Sequence, residues 1–76
     1  MEINEMIGKR IADLCRANNL SINRLATICG VRQSTISNIL NGNSKNPTIS
    51  SIKRICNGLE ISLATFFDDP IFDSDD

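Results

Sequence analysis

A chain of 76 residues makes one small domain, of a size at which a single core is only marginally adequate unless helices pack efficiently or a second copy helps. Hydrophobic residues supply 41% of it, enough for that core, but with three Phe and neither Trp nor Tyr the filling must come from Ile and Leu. The net charge of −1 excludes little by itself, whereas the lack of a run of about 18 apolar residues and of a charged-apolar-small leader leads us to expect a soluble, cytoplasmic protein without membrane contact.

A first helix is expected to begin near Asn4, with Ile7, Ile11, Leu14 and Cys15 at i, i+4, i+7 and i+8 facing the core. Lys9, Arg10, Asp13 and Arg16 take its outer face, Asn18 and Asn19 end it, and Leu20 closes the core beneath Ser21. Residues 21–42 then hold two short helices separated by a glycine. Ser21 can cap the first of them, whose stripe is Ile22, Leu25, Ala26 and Cys29, and Gly30 allows a left-handed exit at no steric cost. Val31 is apolar again, and Ile36, Ile39 and Leu40 give the next helix, over about 33–40, its own buried stripe, which Gly42 ends. So tight a turn sets the two helices at a steep angle, and Ala26 permits their close approach.

Arg32, Gln33, Ser34, Thr35, Ser37, Asn38 and Asn41 are what that helix leaves outside. All can hydrogen-bond and none is a carboxylate. Gln and Asn pair bidentately with adenine, Arg with guanine, and Ser or Thr with several base edges or with phosphate. An ordinary solvated face is the competing reading, but such a face more often includes Glu or Asp.

The residues beyond Gly42, NSKNP, are loop by composition, and Pro47 blocks helix continuation. Thr48 can cap a fourth helix with the stripe Ile49, Ile52, Ile55, Cys56 and Leu59, leaving Lys53 and Arg54 outside. Ser62 can cap a last short helix carrying Leu63, Phe66 and Phe67. The end, DDPIFDSDD, is acidic and broken by Pro70, so it is expected to be poorly ordered alone. Ile71 and Phe72 within it could dock on a partner subunit, or the tail could fold back and compete with phosphates; a plain solubilising end is the simplest reading.

Charge divides the chain in the same place. Residues 1–67 carry all eight Lys and Arg against Glu2, Glu5, Asp13 and Glu60, a net +4, and the other five acids, Asp68, Asp69, Asp73, Asp75 and Asp76, lie in the tail, 68–76. A basic body with an acidic end is compatible with nucleic-acid binding. Cys15, Cys29 and Cys56 fall on apolar stripes, form no C-x-x-C pair and have no histidine beside them. They read as small buried residues in a reducing compartment, not as zinc ligands or nucleophiles. Without histidine, a metal-ligand cluster or a phosphate loop, the chain is expected to be neither an enzyme nor a cofactor carrier.

SINRLATICGVRQSTISNILNG, over residues 21–42, resembles the helix-turn-helix of the Xre/Cro/lambda-repressor family of bacterial and phage transcription regulators. Leu25, Ala26, Gly30, Val31, Ile36 and Ile39 stand at the family's spacing. IGKRIADLCRANNLS, over 7–21, resembles its first helix, and NGNSKNPTISSIKRI, over 41–55, its loop and fourth helix. The resemblance implies a compact all-α, five-helix domain over 1–67 that binds double-stranded DNA with its third helix in the major groove. Arg32, Gln33, Ser34, Ser37 and Asn38 would then read bases, those nearest the helix N-terminus first. Arg10, Ser21, Thr35, Asn41, Asn43, Ser44 and Lys45 would hold phosphates, the loop residues setting register without reading sequence. For Arg10 a solvated surface charge is nearly as good a reading. A homodimer on a palindrome with half-sites about one turn apart, acting as a repressor, follows from the same likeness. The last helix would serve either as a dimer contact or as a lid on the core. A module whose tail clasps a protein partner is the alternative.

Three departures from the family pattern carry consequences. Relatives often pair an arginine at the position of Cys15 with a glutamate at that of Leu40; here both are apolar, and the two are expected to touch. Ile22 replaces a common glutamine, removing one expected DNA contact but leaving Ser21 and the helix amides for a phosphate. Arg32 stands where Ser or Thr usually caps the third helix, and Glu60 where glycine is usual, with Gly58 two residues earlier. Entry to the third helix is therefore expected to be less firmly capped, at a cost on the order of 1 kcal/mol.

Overall fold

The computed structural model describes residues 2–42 and 47–73. Among them lie α1 (Ile3–Ala17), α2 (Ile22–Cys29), α3 (Gln33–Leu40), α4 (Ile49–Leu59), α5 (Leu63–Phe67) and a 3-10 turn over Pro70–Asp73, with no strand. Three helices start where the sequence supplies a short hydroxyl to take up a free amide. Ser21 Oγ accepts from Arg24 N at 3.1 Å, Thr48 Oγ1 from Ser51 N at 3.1 Å and Ser62 Oγ from Thr65 N at 3.0 Å. At α1 the Glu5 side chain reaches back instead, accepting from Glu2 N at 3.1 Å.

The apolar stripes meet in one core built from Ile7, Ile11 and Cys15 of α1, Leu25 and Ala26 of α2, Ile36 and Ile39 of α3, Ile52, Ile55 and Cys56 of α4, and Phe66 of α5. α3 rests on α1 and α2, α2 also packs on α4, and α5 packs on α4. Gly30 ends α2 at φ 69°, and Val31 N donates to Ala26 O at 3.1 Å, so the chain reverses within three residues into α3.

α4 ends without a glycine. Glu60 itself takes the left-handed conformation, φ 60° and ψ 41°, a position that strains any side-chain-bearing residue. The glycine two residues earlier answers a different need. A Cβ on Gly58 would lie 2.4 Å from Cys29 Sγ and 3.1 Å from Cys29 Cα, so Gly58 is where the end of α2 presses on α4.

The structure corrects the expectation of a poorly ordered end. The acidic end is ordered through Asp73, because Phe72 joins Phe66 and Phe67 with ring centroids 6.2 and 5.0 Å away, and the turn packs on α1. Asp69 holds that turn in shape, its Oδ1 accepting from Ile71 N at 3.0 Å. The aromatic gain outweighs the polar composition that argued for disorder. Leu40 packs against the core that includes Cys15 and lines a shallow pocket with Asn4, Glu5 and Lys9 over the first turns of α1.

Candidate nucleic-acid interface

At about 100° per residue, Gln33, Ser37, Asn41, Ser34 and Asn38 fall within an arc of about 140° on α3, opposite the buried Ile36 and Ile39. Gln33, Ser34, Asn38 and Asn41 are exposed and Ser37 is half-buried. The side chains of all five, with those of Arg32 and Thr35, make no hydrogen bond among the described residues. Their donors and acceptors are thus available together, along one side of a helix about 12 Å long. Thr35 flanks the arc, half-buried beside the core stripe.

Arg32 occupies the N-cap of α3 in extended conformation, φ −72° and ψ 143°, and caps nothing with its side chain. The weak cap expected from the sequence is therefore present, and the guanidinium stands exposed at the positive end of the helix. Ser21 stands exposed at the start of α2, its oxygen already accepting from Arg24 N. Its hydroxyl hydrogen and remaining lone pair are left for a further partner. Asn43, Ser44 and Lys45 lie outside the described residues.

Arg10 is turned elsewhere. Its Nε donates to Phe66 O at 2.7 Å, its Nη2 to Thr65 O at 2.9 Å and its Nη1 to Asp69 Oδ2 at 3.2 Å, and the side chain is only 13% exposed. The guanidinium thus neutralises the carbonyl end of α5 and ties it to the acidic segment. No local pattern announces this, since the partners lie 55 to 59 residues away. Between Asp13 and Glu60 the chain carries Arg16, Arg24, Arg32, Lys45, Lys53 and Arg54 and not one acid, so neither α2 nor α3 bears a carboxylate of its own.

The thiols lie behind this face. Burial pushes Cys15, Cys29 and Cys56 up from the ordinary thiol value, and at Cys29 the neighbouring Cys15 and Cys56 add to the effect. All three are free. Protonated and sheltered, they suit packing, not nucleophilic or metal chemistry. Among the described residues no group of His, Cys, Asp or Glu is arranged to hold a metal ion, and no helix is long and apolar enough to cross a membrane.

A family described as helix-turn-helix matches residues 11–66. The HTH-type transcriptional regulator SlrR of Bacillus subtilis (strain 168) is 36% identical over 63 residues, covering 83% of this chain and 41% of that protein. RghRB of the same organism, an uncharacterized HTH-type transcriptional regulator, is 35% identical over 54 residues, covering 71% of this chain and 39% of its own. The chain therefore spans about two fifths of the length of these relatives. The crystal structure of prophage Lp1 protein 11 superposes with a TM-score of 0.82 at 39% identity, covering 93% of each chain.

Proposed function

Because the chain belongs to the helix-turn-helix family of Xre/Cro/lambda-repressor-like transcription regulators, we propose that it binds double-stranded DNA sequence-specifically, with α3 in the major groove. The observation that carries this reading is the polar arc of α3, free of carboxylates and with no side-chain hydrogen bond among the described residues. Gln33 and Ser34, at the helix start, read first; Ser37 and Asn38 follow one turn later, with Arg32 at the entrance. Ser21, Thr35 and Asn41, with Asn43, Ser44 and Lys45 of the loop, hold phosphates. Arg10 drops out of this set, because α5 and Asp69 occupy it.

A dimer on a palindrome fits the dimensions. The body measures 33 × 23 × 22 Å, and half-sites one turn apart are about 34 Å between centres, so two copies on one face of the duplex come within reach of each other. Repression by occluding a promoter is the output such a complex provides most simply. The acidic segment is a weaker candidate for clasping a protein partner than its composition suggests, since Phe72 is spent on the chain's own aromatic cluster.

Selection of sites from random duplex DNA at two salt concentrations tests the proposal. The wild type should enrich a palindromic consensus, with affinity falling steeply as salt rises. Gln33→Ala combined with Asn38→Ala should blur the consensus, each lost bidentate pair removing about 1–3 kcal/mol of discrimination. Enrichment of no sequence even at low salt would sink it.

A further inference from the structure

We infer that Gly8, outside the helix-turn-helix and with no side chain of its own to reach DNA, is a positioning residue that sets how α3 lies in the groove; the inference rests on the DNA-binding reading above. Gly8 is buried in the interior of α1, where glycine weakens a helix and needs a packing reason. The reason is on the neighbouring helix. A Cβ at this position would lie 2.6 Å from Ile39 O, 3.4 Å from Leu40 Cα and 3.5 Å from Ile39 C. These are main-chain atoms of the last turn of α3, so no rotamer change can make room.

Which helix would yield is decided by what stands behind each. Two residues on from Gly8, about 200° around α1, Arg10 is pinned to the C-terminal carbonyls of α5 and to Asp69. The 3-10 turn packs on α1 as well. α1 is thus braced and cannot retreat. α3 is held in the core by Ile36 and Ile39, while Gln33, Ser34, Asn38 and Asn41 on its other side are exposed. An added methyl would therefore push the last turn of α3 outward by roughly 0.5–1 Å to restore van der Waals separation. Base reading by Ser37 and Asn38 tolerates displacements of only about 0.5 Å, whereas the sequence-independent attraction to phosphate follows charge and does not depend on so fine a placement.

Gly8→Ala separates the two kinds of contact. Affinities for the selected operator and for a scrambled duplex are measured over a salt series, in the wild-type chain and in a Glu60→Gly background that relieves the strain at the end of α4. Ile55→Val, in the core of α4, serves as the control that loosens packing without pressing on α3. We expect Gly8→Ala to lower discrimination at least tenfold while scrambled-duplex affinity and salt slope stay within about twofold, and Ile55→Val to keep discrimination intact. Undiminished discrimination in folded Gly8→Ala, an equal loss in Ile55→Val, or failure of Gly8→Ala to fold in both backgrounds would each overturn the proposal. A wild-type chain that selects no sequence would overturn the DNA reading itself, and is seen before any substitution is compared.

Discussion

Arg10 carries an ion pair and a helix cap at once, and the two can be tested apart from DNA. Arg10→Met keeps much of the apolar stem but removes every donor to Thr65 O, Phe66 O and Asp69. With the arginine side chain 13% and the aspartate 28% exposed, screening is incomplete, and the loss should be about 2 kcal/mol in urea unfolding. The salt slope of DNA binding should not change. A slope smaller by about one would return Arg10 to the phosphate contacts. Glu60 offers the opposite sign. Its φ of 60° costs energy that glycine does not incur, so Glu60→Gly should raise stability by about 1 kcal/mol, read as a higher urea midpoint at unchanged m-value.

The helices were legible because each announces itself locally: an apolar stripe at helical spacing, a hydroxyl at the N-cap of α2, α4 and α5, a glycine after α2. The polar arc of α3 was legible for the same reason, being the complement of its stripe. What could not be read were the relations between distant elements. Gly58 looks like a helix-ending glycine out of place, and only the approach of Cys29 explains it. The segment after α5 looks like a solvated tail, because neither its acidity nor Pro70 reveals that Phe72 will find Phe66 and Phe67. Phe72→Ala tests the value of the docked turn. The ring is half-buried, so the cost should fall below that of a fully buried phenylalanine, at about 2 kcal/mol in urea unfolding. A cost near zero would mean the turn is only resting on α1.

Across the whole molecule, the three thiols link stability to alkaline pH. Each comes from a different helix, and burial raises each above its ordinary value of 9.0. Once pH exceeds 9.0 the unfolded chain surrenders thiol protons that the folded chain retains, so the folded state binds more protons and stability falls as pH rises. Below that value the contribution is fully present. Urea midpoints should therefore hold steady from about pH 7 to about pH 8 and decline toward about pH 10, less so in Cys56→Ala, which lacks one of the titrating groups. The Arg10 clasp has a consequence of another kind, for the order in which the protein assembles during synthesis. α1 leaves the ribosome ahead of partners made 55 to 59 residues later, an interval of about 3–12 s at ordinary elongation rates of about 5–20 residues per second. Through that time one flank of α1 stays open, and it is covered only once the acidic segment after α5 has been translated.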